Sequence, residues 1–113
     1  MAECIFCKII ARQIPSQFVY EDEIAVVFQD INPQAPTHVL IVPKKHVADL
    51  SACGDADQAL LGRLQRVAAV VAEKAGIASG YRLLTNKGRS AGQSVDHLHY
   101  HLLGGRPMKW PPG

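Results

Sequence analysis

One seven-residue run, His97 to Leu103, constrains the fold of this chain more than any other feature. It alternates with period two: histidine occupies positions 97, 99 and 101, with leucine or tyrosine between them. A β-strand places successive side chains on opposite faces, so that every second residue lies on the same face. The run therefore predicts a strand with three imidazoles on one face and Leu98, Tyr100 and Leu102 on the other.

The remaining segments place this strand in a small antiparallel sheet. Between residues 55 and 76, apolar side chains recur every three or four positions, which indicates one long amphipathic helix that Gly76 ends. Strands lie before and after this helix without regular alternation, so the predicted class is α+β with a mostly antiparallel, five-stranded sheet. The predicted elements are a short helix at 5–11, strands at 18–20, 24–29, 38–42, 81–85 and 96–103, and the long helix at 55–76.

Length and composition exclude several classes of protein. With 113 residues, 48% of them hydrophobic, we expect one domain over residues 1–113, with a proline-rich C-terminal tail that is ordered or docked on a partner. The 12 Lys and Arg nearly balance the 10 Asp and Glu, which favours neither disorder nor nucleic-acid binding. Aliphatic runs fall short of the roughly 18 residues that a membrane span needs. Three cysteines and the lack of a signal-peptide pattern predict reduced thiols and a cytoplasmic location.

The three imidazoles are predicted to act on phosphorus. At the spacing of alternate strand residues, about 6.5–7 Å, they cannot all be cationic, so some stay neutral bases or nucleophiles near pH 7. Just before them, a loop with Gly88, Gly92, Gln93 and Ser94 offers backbone amides and a hydroxyl. Such a loop suits phosphate oxygens. A nucleophilic ring beside oxyanion donors favours attack on a phosphoryl group.

These residues resemble the histidine triad (HIT) superfamily of nucleotide hydrolases and transferases, whose signature the run from His97 matches. Other segments look like the Hint branch of that superfamily. The similarity extends over nearly the whole chain, from about Cys4 to Gly113. The matching segments are DINPQAPTH at 30–38, PKKH at 43–46, GQSV at 92–95, GGR at 104–106 and WPPG at 110–113.

The resemblance implies a homodimer of HIT-like folds in which two five-stranded sheets join, each subunit binding a purine nucleotide, AMP or GMP. Proteins of this branch hydrolyse nucleoside 5′-phosphoramidates to a nucleoside monophosphate and an amine. By position, His99 would be the nucleophile that forms a nucleotidyl-histidine intermediate. His97 and His101 would orient it and transfer protons, and Ser94 would help to protonate the leaving amine. The C-terminal tail, residues 104–113, would lie near the dimer interface or the active site. No cofactor would be required for catalysis.

The resemblance also implies a set of nucleotide contacts. Gly92, Gln93 and His101 would contact the phosphate, Asn86 the phosphate end or the ribose, and Asp30 the ribose hydroxyls. The residues implied to wall the base pocket are Ile5, Phe6, Ile9, Phe28 and Ile31. From the residues alone, Asp30 fits an Asx turn equally well. Trp110 fits either packing on its own subunit or reaching the active site of the neighbouring one.

Cys4 and Cys7 are separated by two residues, a spacing suited to two thiolates on one zinc ion. The resemblance to bacterial relatives and to distant galactose-1-phosphate uridylyltransferases adds His46 and His97, which would complete a structural Cys₂His₂ zinc site. The alternative use of His97 is in the proton network of the triad. Cys53 is interpreted as a small buried apolar residue.

Four other functions are compatible with the sequence. The triad alone does not choose the leaving group, so a dinucleoside polyphosphate hydrolase or a nucleotidyl transferase would carry it as well. A nucleotide-binding regulatory module would carry it with incidental turnover. A metal-dependent hydrolase would use water on a zinc ion held by the triad.

Overall fold

The protein, described here by a computed structural model over residues 4–113, consists of two helices and five strands. Residues 1–3 of the predicted domain lie outside the described residues. No helix within residues 4–113 is long and apolar enough to cross a membrane. The elements in chain order are α1 (Ile5–Ile10), β1 (Phe18–Glu21), β2 (Ala25–Gln29), β3 (Thr37–Pro43), α2 (Gln58–Lys74), β4 (Tyr81–Thr85) and β5 (Tyr100–Gly104), with 3₁₀ turns at Leu50–Ala52, Asp55–Asp57 and Arg89–Ala91.

The strands form one sheet in the order β1-β2-β3-β5-β4, and each neighbouring pair is antiparallel. β5 therefore lies inside the sheet, where Leu40 of β3 and Leu84 of β4 are the Cα partners of His101. α2 belongs to the connection from β3 to β4. This architecture confirms the predicted α+β class, with an antiparallel five-stranded sheet, one long helix and one short helix.

Alternate residues of the strands pack into two separate apolar clusters. In β2, Ala25 and Val27 belong to the cluster that α2 covers, whereas Val26 and Phe28 pack with α1 on the opposite face. Leu98, Tyr100 and Leu102 join the α2 cluster, which leaves the histidines between them for the α1 face. The residues that α2 buries follow the predicted spacing: Leu64, Val67, Ala68, Val71 and Ala72.

The histidine strand was predicted four residues too long at its start, because β5 begins at Tyr100. Before that residue, the amide of Leu98 donates to the carbonyl of Val47 at 2.7 Å, beyond the proline that ends β3. On the β4 side, the hydroxyl of Thr85 donates to the carbonyl of His99 at 2.7 Å. Residues 97–99 are thus held by irregular contacts outside the strand ladder.

α2 also starts later than predicted, at Gln58. The predicted first turn is a 3₁₀ turn, Asp55–Asp57, in which the carboxylate of Asp57 accepts a hydrogen bond from the amide of Gly54 at 2.9 Å. That carboxylate satisfies an amide which the start of the helix would otherwise leave without a partner.

Candidate active site

Two of the three alternating histidines, His99 and His101, line a cavity of about 300 Å³ that α1 and the ends of β2 and β3 enclose. The rings of His97 and His99 lie edge-on to Phe6, with centroids 5.9 and 5.0 Å from its own, so both are on the α1 face as predicted. His97 and His99 are 0% and 6% exposed, and His101 is half-buried. The remaining lining residues are Ile5, Phe6, Ile9, Ile14, Pro15, Ser16, Phe28, Gln29, Asp30, Ile31, Leu40, Ser94 and Val95.

The ring of His99 has a defined tautomer. Its Nδ1 lies 2.7 Å from the carbonyl oxygen of His97. A carbonyl only accepts hydrogen bonds, so Nδ1 carries the proton and Nε2 of the neutral ring keeps its lone pair. The backbone of one triad histidine thereby fixes the tautomer of the next and leaves its Nε2 lone pair available.

His101 is held by a fourth histidine that was not predicted as a site residue, His38. The amide of Gln34 donates to His38 Nδ1 at 3.0 Å, so the neutral His38 ring carries its proton on Nε2. His38 Nε2 lies 2.9 Å from His101 Nδ1 and donates to it. His101 in turn carries its proton on Nε2, the ring nitrogen that this bond leaves free. The available signal was a histidine at the start of the predicted strand 38–42, now the second residue of β3. It would have identified the site only if β3 were known to pair with β5.

Burial keeps these rings neutral near pH 7. Desolvation lowers the pKa of His99, against the opposing effect of its bond to the His97 carbonyl. Desolvation, with smaller contributions from His99 and His38, lowers the pKa of His101 to about 4. The pKa of His38 is lowered by burial and partly restored by the carboxylate of Asp30.

The ring of His97 belongs to a different group, formed with Cys4, Cys7 and His46. His97 Nδ1 lies 3.3 Å from Cys4 Sγ, 3.6 Å from Cys7 Sγ and 3.1 Å from His46 Nδ1, and Cys7 Sγ lies 3.3 Å from His46 Nδ1. Around a tetrahedral zinc ion, nitrogen–nitrogen and nitrogen–sulfur edges are about 3.3 and 3.6 Å. The donor set fits zinc in both chemistry and spacing.

The second nitrogen of His97 supports the same conclusion. Nε2 lies 2.9 Å from the carbonyl of Pro43 and donates to it, which directs the lone pair of Nδ1 into the group of four. A metal-ligating histidine commonly donates its other ring nitrogen to such an acceptor. Both ring nitrogens are therefore occupied, and only the backbone of His97 contacts the other triad histidines.

Asp30 takes part in a turn and also faces the cavity. Its Oδ1 accepts a hydrogen bond from the amide of Asn32 at 2.8 Å, the Asx turn that the sequence left open. Its Oδ2 lies 3.4 Å from His38 Nε2. Although Asp30, His38 and His101 lie close together, His38 has no lone pair left for a metal ion, because the amide of Gln34 uses Nδ1 and a proton occupies Nε2.

The loop before the histidines is held by Gln93, which is 4% exposed. Its side-chain oxygen accepts from the amide of Gly88 at 2.9 Å, and its side-chain nitrogen donates to the carbonyls of Ala48 and Val95 at 2.9 and 3.0 Å. The amide group of Gln93 is thus occupied within the protein and fixes the loop. A contact between Gln93 and phosphate stays a prediction, and it requires the side-chain amide to give up its present hydrogen-bond partners.

The other predicted loop residues lie around Gln93. Gly92 has a φ of +99°, in the left-handed region that favours glycine. Ser94 is exposed and lines the cavity. Asn86 is half-buried and lies beside Gly92, with its Nδ2 3.7 Å from the position that a Cβ there would take, but it is not part of the cavity wall.

All five predicted base-pocket residues line the apolar part of the cavity. Phe6 and Phe28 pack edge-to-face there, with centroids 5.5 Å apart, and Ile31 stands 99% exposed at the rim. Trp110 is 81% exposed and lies outside this cavity, so it does not pack on its own subunit. The segment 14–16 also lines the cavity, and no sequence pattern marked it, because it follows α1 as an irregular loop.

Comparison with known sequences agrees with this geometry. The family model of the HIT domain matches residues 11–108. The 14 kDa zinc-binding protein of Zea mays is 53% identical over 111 residues, which covers 96% of this chain and 87% of that protein.

Solved structures give the same result. A HIT family hydrolase from Clostridium thermocellum superposes with a TM-score of 0.94 at 51% identity, covering 96% of each chain. A histidine triad nucleotide-binding protein from Candida albicans superposes with a TM-score of 0.82 at 37% identity, covering 96% of this chain and 83% of that one. With the histidine signature, the sheet and the family match in agreement, the chain belongs to the HIT family.

Proposed function

We propose that this protein hydrolyses purine nucleoside 5′-phosphoramidates, such as AMP joined to ammonia or to a lysine-type amine, to the nucleoside monophosphate and the amine. The observation that carries the proposal is the fixed tautomer of His99 at the wall of a nucleotide-sized cavity. The hydrolase and nucleotide-binding names of similar HIT proteins support the same class of reaction.

In the proposed mechanism, His99 Nε2 attacks phosphorus and forms an N–P bond while the P–N bond to the amine breaks. The hydroxyl of Ser94, which lines the cavity, gives a proton to the leaving nitrogen. Water then attacks phosphorus, the electron pair of the N–P bond returns to His99, one proton of the water replaces the proton that Ser94 gave, and the nucleoside monophosphate is released. His101 Nε2–H faces the same cavity and supplies a hydrogen bond to a phosphate oxygen.

Nucleotide recognition follows the division of the cavity into apolar and polar parts. The purine would lie among Phe6, Phe28 and their aliphatic neighbours, and the ribose hydroxyls would donate to Asp30. Gly92, Gln93 and Asn86 would contribute to the phosphate end. An apolar pocket of this kind accepts either AMP or GMP, because flat ring faces contact it in the same way.

The proposal includes a homodimer with joined sheets. β4 is an edge strand, and Tyr81 on it is 40% exposed. An unpaired edge offers backbone donors and acceptors to a second copy of the same strand. The 81% exposure of Trp110 supports contact of the C-terminal tail with the partner subunit.

The proposal also includes a structural zinc ion held by Cys4, Cys7, His46 and His97. When bound, the ion would tie α1, the segment after β3 and the start of the histidine run together, and no catalytic step passes through it. Thiolate ligands need reducing conditions, which is consistent with the cytoplasmic location that the sequence predicts.

The test is incubation of the purified protein with an AMP–lysine phosphoramidate, followed by acid-free quenching and mass analysis. We expect release of AMP and an AMP adduct on the peptide that contains His99. His99→Asn should lower kcat/KM by more than about 10³-fold while AMP binding persists.

Other outcomes separate the alternatives. Turnover of dinucleoside polyphosphates without turnover of phosphoramidates would identify the related hydrolase. AMP binding without any turnover would identify a binding module. Loss of turnover in chelator, with unfolding excluded by circular dichroism, would favour water activated on zinc.

A further inference from the structure

The proton on His38 Nε2 faces two acceptors. One is Nδ1 of His101 at 2.9 Å, and the other is Oδ2 of Asp30 at 3.4 Å. The shorter contact is a hydrogen bond, whereas the longer one lies just beyond hydrogen-bond distance. A small rotation of the His38 ring or of the Asp30 carboxylate would therefore exchange the two partners.

The observed arrangement has room for only two protons on the two rings. His38 Nδ1 faces the amide proton of Gln34, and a single proton fits between His38 Nε2 and His101 Nδ1. The second proton is on His101 Nε2. A third proton, on His101 Nδ1, would clash with the proton on His38 Nε2 unless the His38 N–H turns to another acceptor.

We propose that Asp30, besides its place beside the ribose, is the acceptor that takes the proton of His38 and so lets His101 act first as an acid and then as a base. In the charged pair, His101 carries protons on both ring nitrogens and His38 Nε2–H donates to Asp30 Oδ2. The inference deepens the proposed function and rests on it. Asp30 acts here as a positioning residue, since it reaches the reacting atoms through His38.

With this exchange, every proton given up in the reaction is replaced. The pair takes up its additional proton from solvent as the phosphoramidate binds, so the reaction starts from the charged pair. In the first step, His99 Nε2 bonds to phosphorus, the P–N bond to the amine breaks, the amine leaves with the proton of Ser94, and Ser94 recovers a proton from His101 Nε2. His101 now keeps a proton on Nδ1 and a lone pair on Nε2. In the second step, water bonds to phosphorus, His99 leaves with the electron pair of its bond, and the water proton goes to His101 Nε2. The pair returns to its starting state.

The surroundings of the pair leave Asp30 as the one carboxylate among residues 4–113 within salt-bridge distance of either ring. His99 faces His101 with ring centroids 5.1 Å apart and opposes its protonation. β4 contributes the apolar Leu84 opposite His101, and α1 contributes the apolar Phe6 beside His99. The charge that favours an additional proton therefore comes from Asp30, and a bound phosphate would add to it.

Asp30→Asn tests the inference with little risk to the fold. The amide oxygen keeps the Asx turn to Asn32, which places an NH₂ group where Oδ2 faced His38. That group cannot accept the proton of His38. Asp96→Asn is the matched control, because it removes an exposed carboxylate that pairs with Arg89 at 3.0 Å, away from the two rings.

The first measurement needs no substrate: ¹⁵N NMR of the His38 and His101 rings between pH 7 and 3. We expect the additional proton to bind at a pH about one unit lower in Asp30→Asn, so that at pH 4 the rings of the variant carry clearly less of it than those of the wild type. Asp96→Asn should match the wild type. Equal midpoints in all three proteins would overturn the inference, whether or not the protein hydrolyses phosphoramidates.

The second measurement separates the role in proton transfer from ribose binding. On 2′,3′-dideoxyadenosine 5′-phosphoramidate, which lacks the hydroxyls that Asp30 would bind, Asp30→Asn should still lower kcat by about tenfold or more. An unchanged kcat, with only KM altered on the ribose substrate, would reduce Asp30 to a ribose ligand and refute the proposal. Absence of turnover by the wild type would refute the proposed function, and the titration would then decide the role of Asp30 by itself.

Discussion

A methyl group at Gly104, the last residue of β5, should destabilise the fold, because the side chain of Ile77 leaves no space for it. A Cβ at this position would lie 2.6 Å from Ile77 Cδ1, 3.0 Å from its Cβ and 3.1 Å from its Cγ2. Carbon atoms pack at about 3.5–4.0 Å, so the closest contact is short by about 1 Å. β5 cannot move away, since Thr37 of β3 and Tyr81 of β4 flank Gly104 on both sides, and Ile77 is itself buried.

Overpacking of this kind costs about 1–3 kcal/mol of the free energy of unfolding. With an unfolding entropy of about 2.1 cal/mol/K per residue, a loss of about 2 kcal/mol lowers the Tm of a 113-residue domain by about 8 °C. Gly62 is the matched control, because it lies inside α2 and nothing lies within 4 Å of a Cβ there. Gly62→Ala should raise stability by about 1 kcal/mol, through helix propensity alone.

The assay is thermal and urea denaturation of both single variants and of Gly104→Ala combined with Ile77→Val. The valine lacks Cδ1, the atom in the worst overlap, so Gly104→Ala should cost less in that background than in the wild type. Shifts of Tm in the same direction for the two alanine variants would refute the reasoning, as would an equal cost in both backgrounds.

Three further predictions concern the metal group and pH. Cys7→Ser should lower the Tm of the zinc-loaded protein but not that of the chelated protein, and equal losses in thermal scans of both forms would contradict the ligand role of Cys7. Burial raises the pKa of Asp22, but hydrogen bonds from two backbone amides and from Arg63 lower it more, from 3.8 to about 2. Asp22 therefore stabilises the fold above about pH 4 and loses this effect as pH falls towards 2. Asp22→Asn should therefore flatten the acid side of the stability curve, and an unchanged slope of urea midpoint against pH between 4 and 2 would count against it. Burial lowers the pKa of His101 from 6.5 to about 4, so the unfolded chain takes up this proton first and stability falls as pH drops through that window. His101→Asn should reduce the loss of stability between pH 6.5 and 4 in urea denaturation, and a slope equal to that of the wild type would contradict the buried, neutral state of the ring.

Periodicity in the sequence predicted the class of fold and the orientation of the key segment. The three- and four-residue spacing identified the buried face of α2, and the two-residue spacing placed Leu98, Tyr100 and Leu102 on the α2 side of the sheet. Both patterns are local, because each depends only on the geometry of one helix or one strand. The start of β5 was predicted wrongly for the same reason: hydrogen bonding to β3 and β4 ends at Tyr100, and the sequence of the strand alone does not show where its partners stop.

The contacts that the sequence did not predict depend on pairing between distant segments. His38 and His101 meet because β3 and β5 are neighbours, and their rings are 63 residues apart in the chain. The alternation within one strand carries no information about which other histidine approaches it. The side chain of Gln93 is a similar case, since its bond to the carbonyl of Ala48 spans 45 residues. From the sequence alone, a glutamine in a glycine-rich loop is interpreted as a residue that contacts the ligand, because its bond to the carbonyl of Ala48 is not visible there.

His97 shows why a motif does not by itself assign the role of each member. All three histidines alternate in the same way, yet the ring of His97 faces two cysteines and His46, whereas its carbonyl fixes the tautomer of His99. One residue thus joins the proposed metal-binding group to His99, the proposed nucleophile, through its backbone. A change in the position of His97, caused by loss of any of its three neighbours, would move the acceptor of the His99 Nδ1 proton. The geometry of the nucleophile therefore depends on residues as far away in sequence as Cys4, although none of them touches the cavity through which a nucleotide would enter.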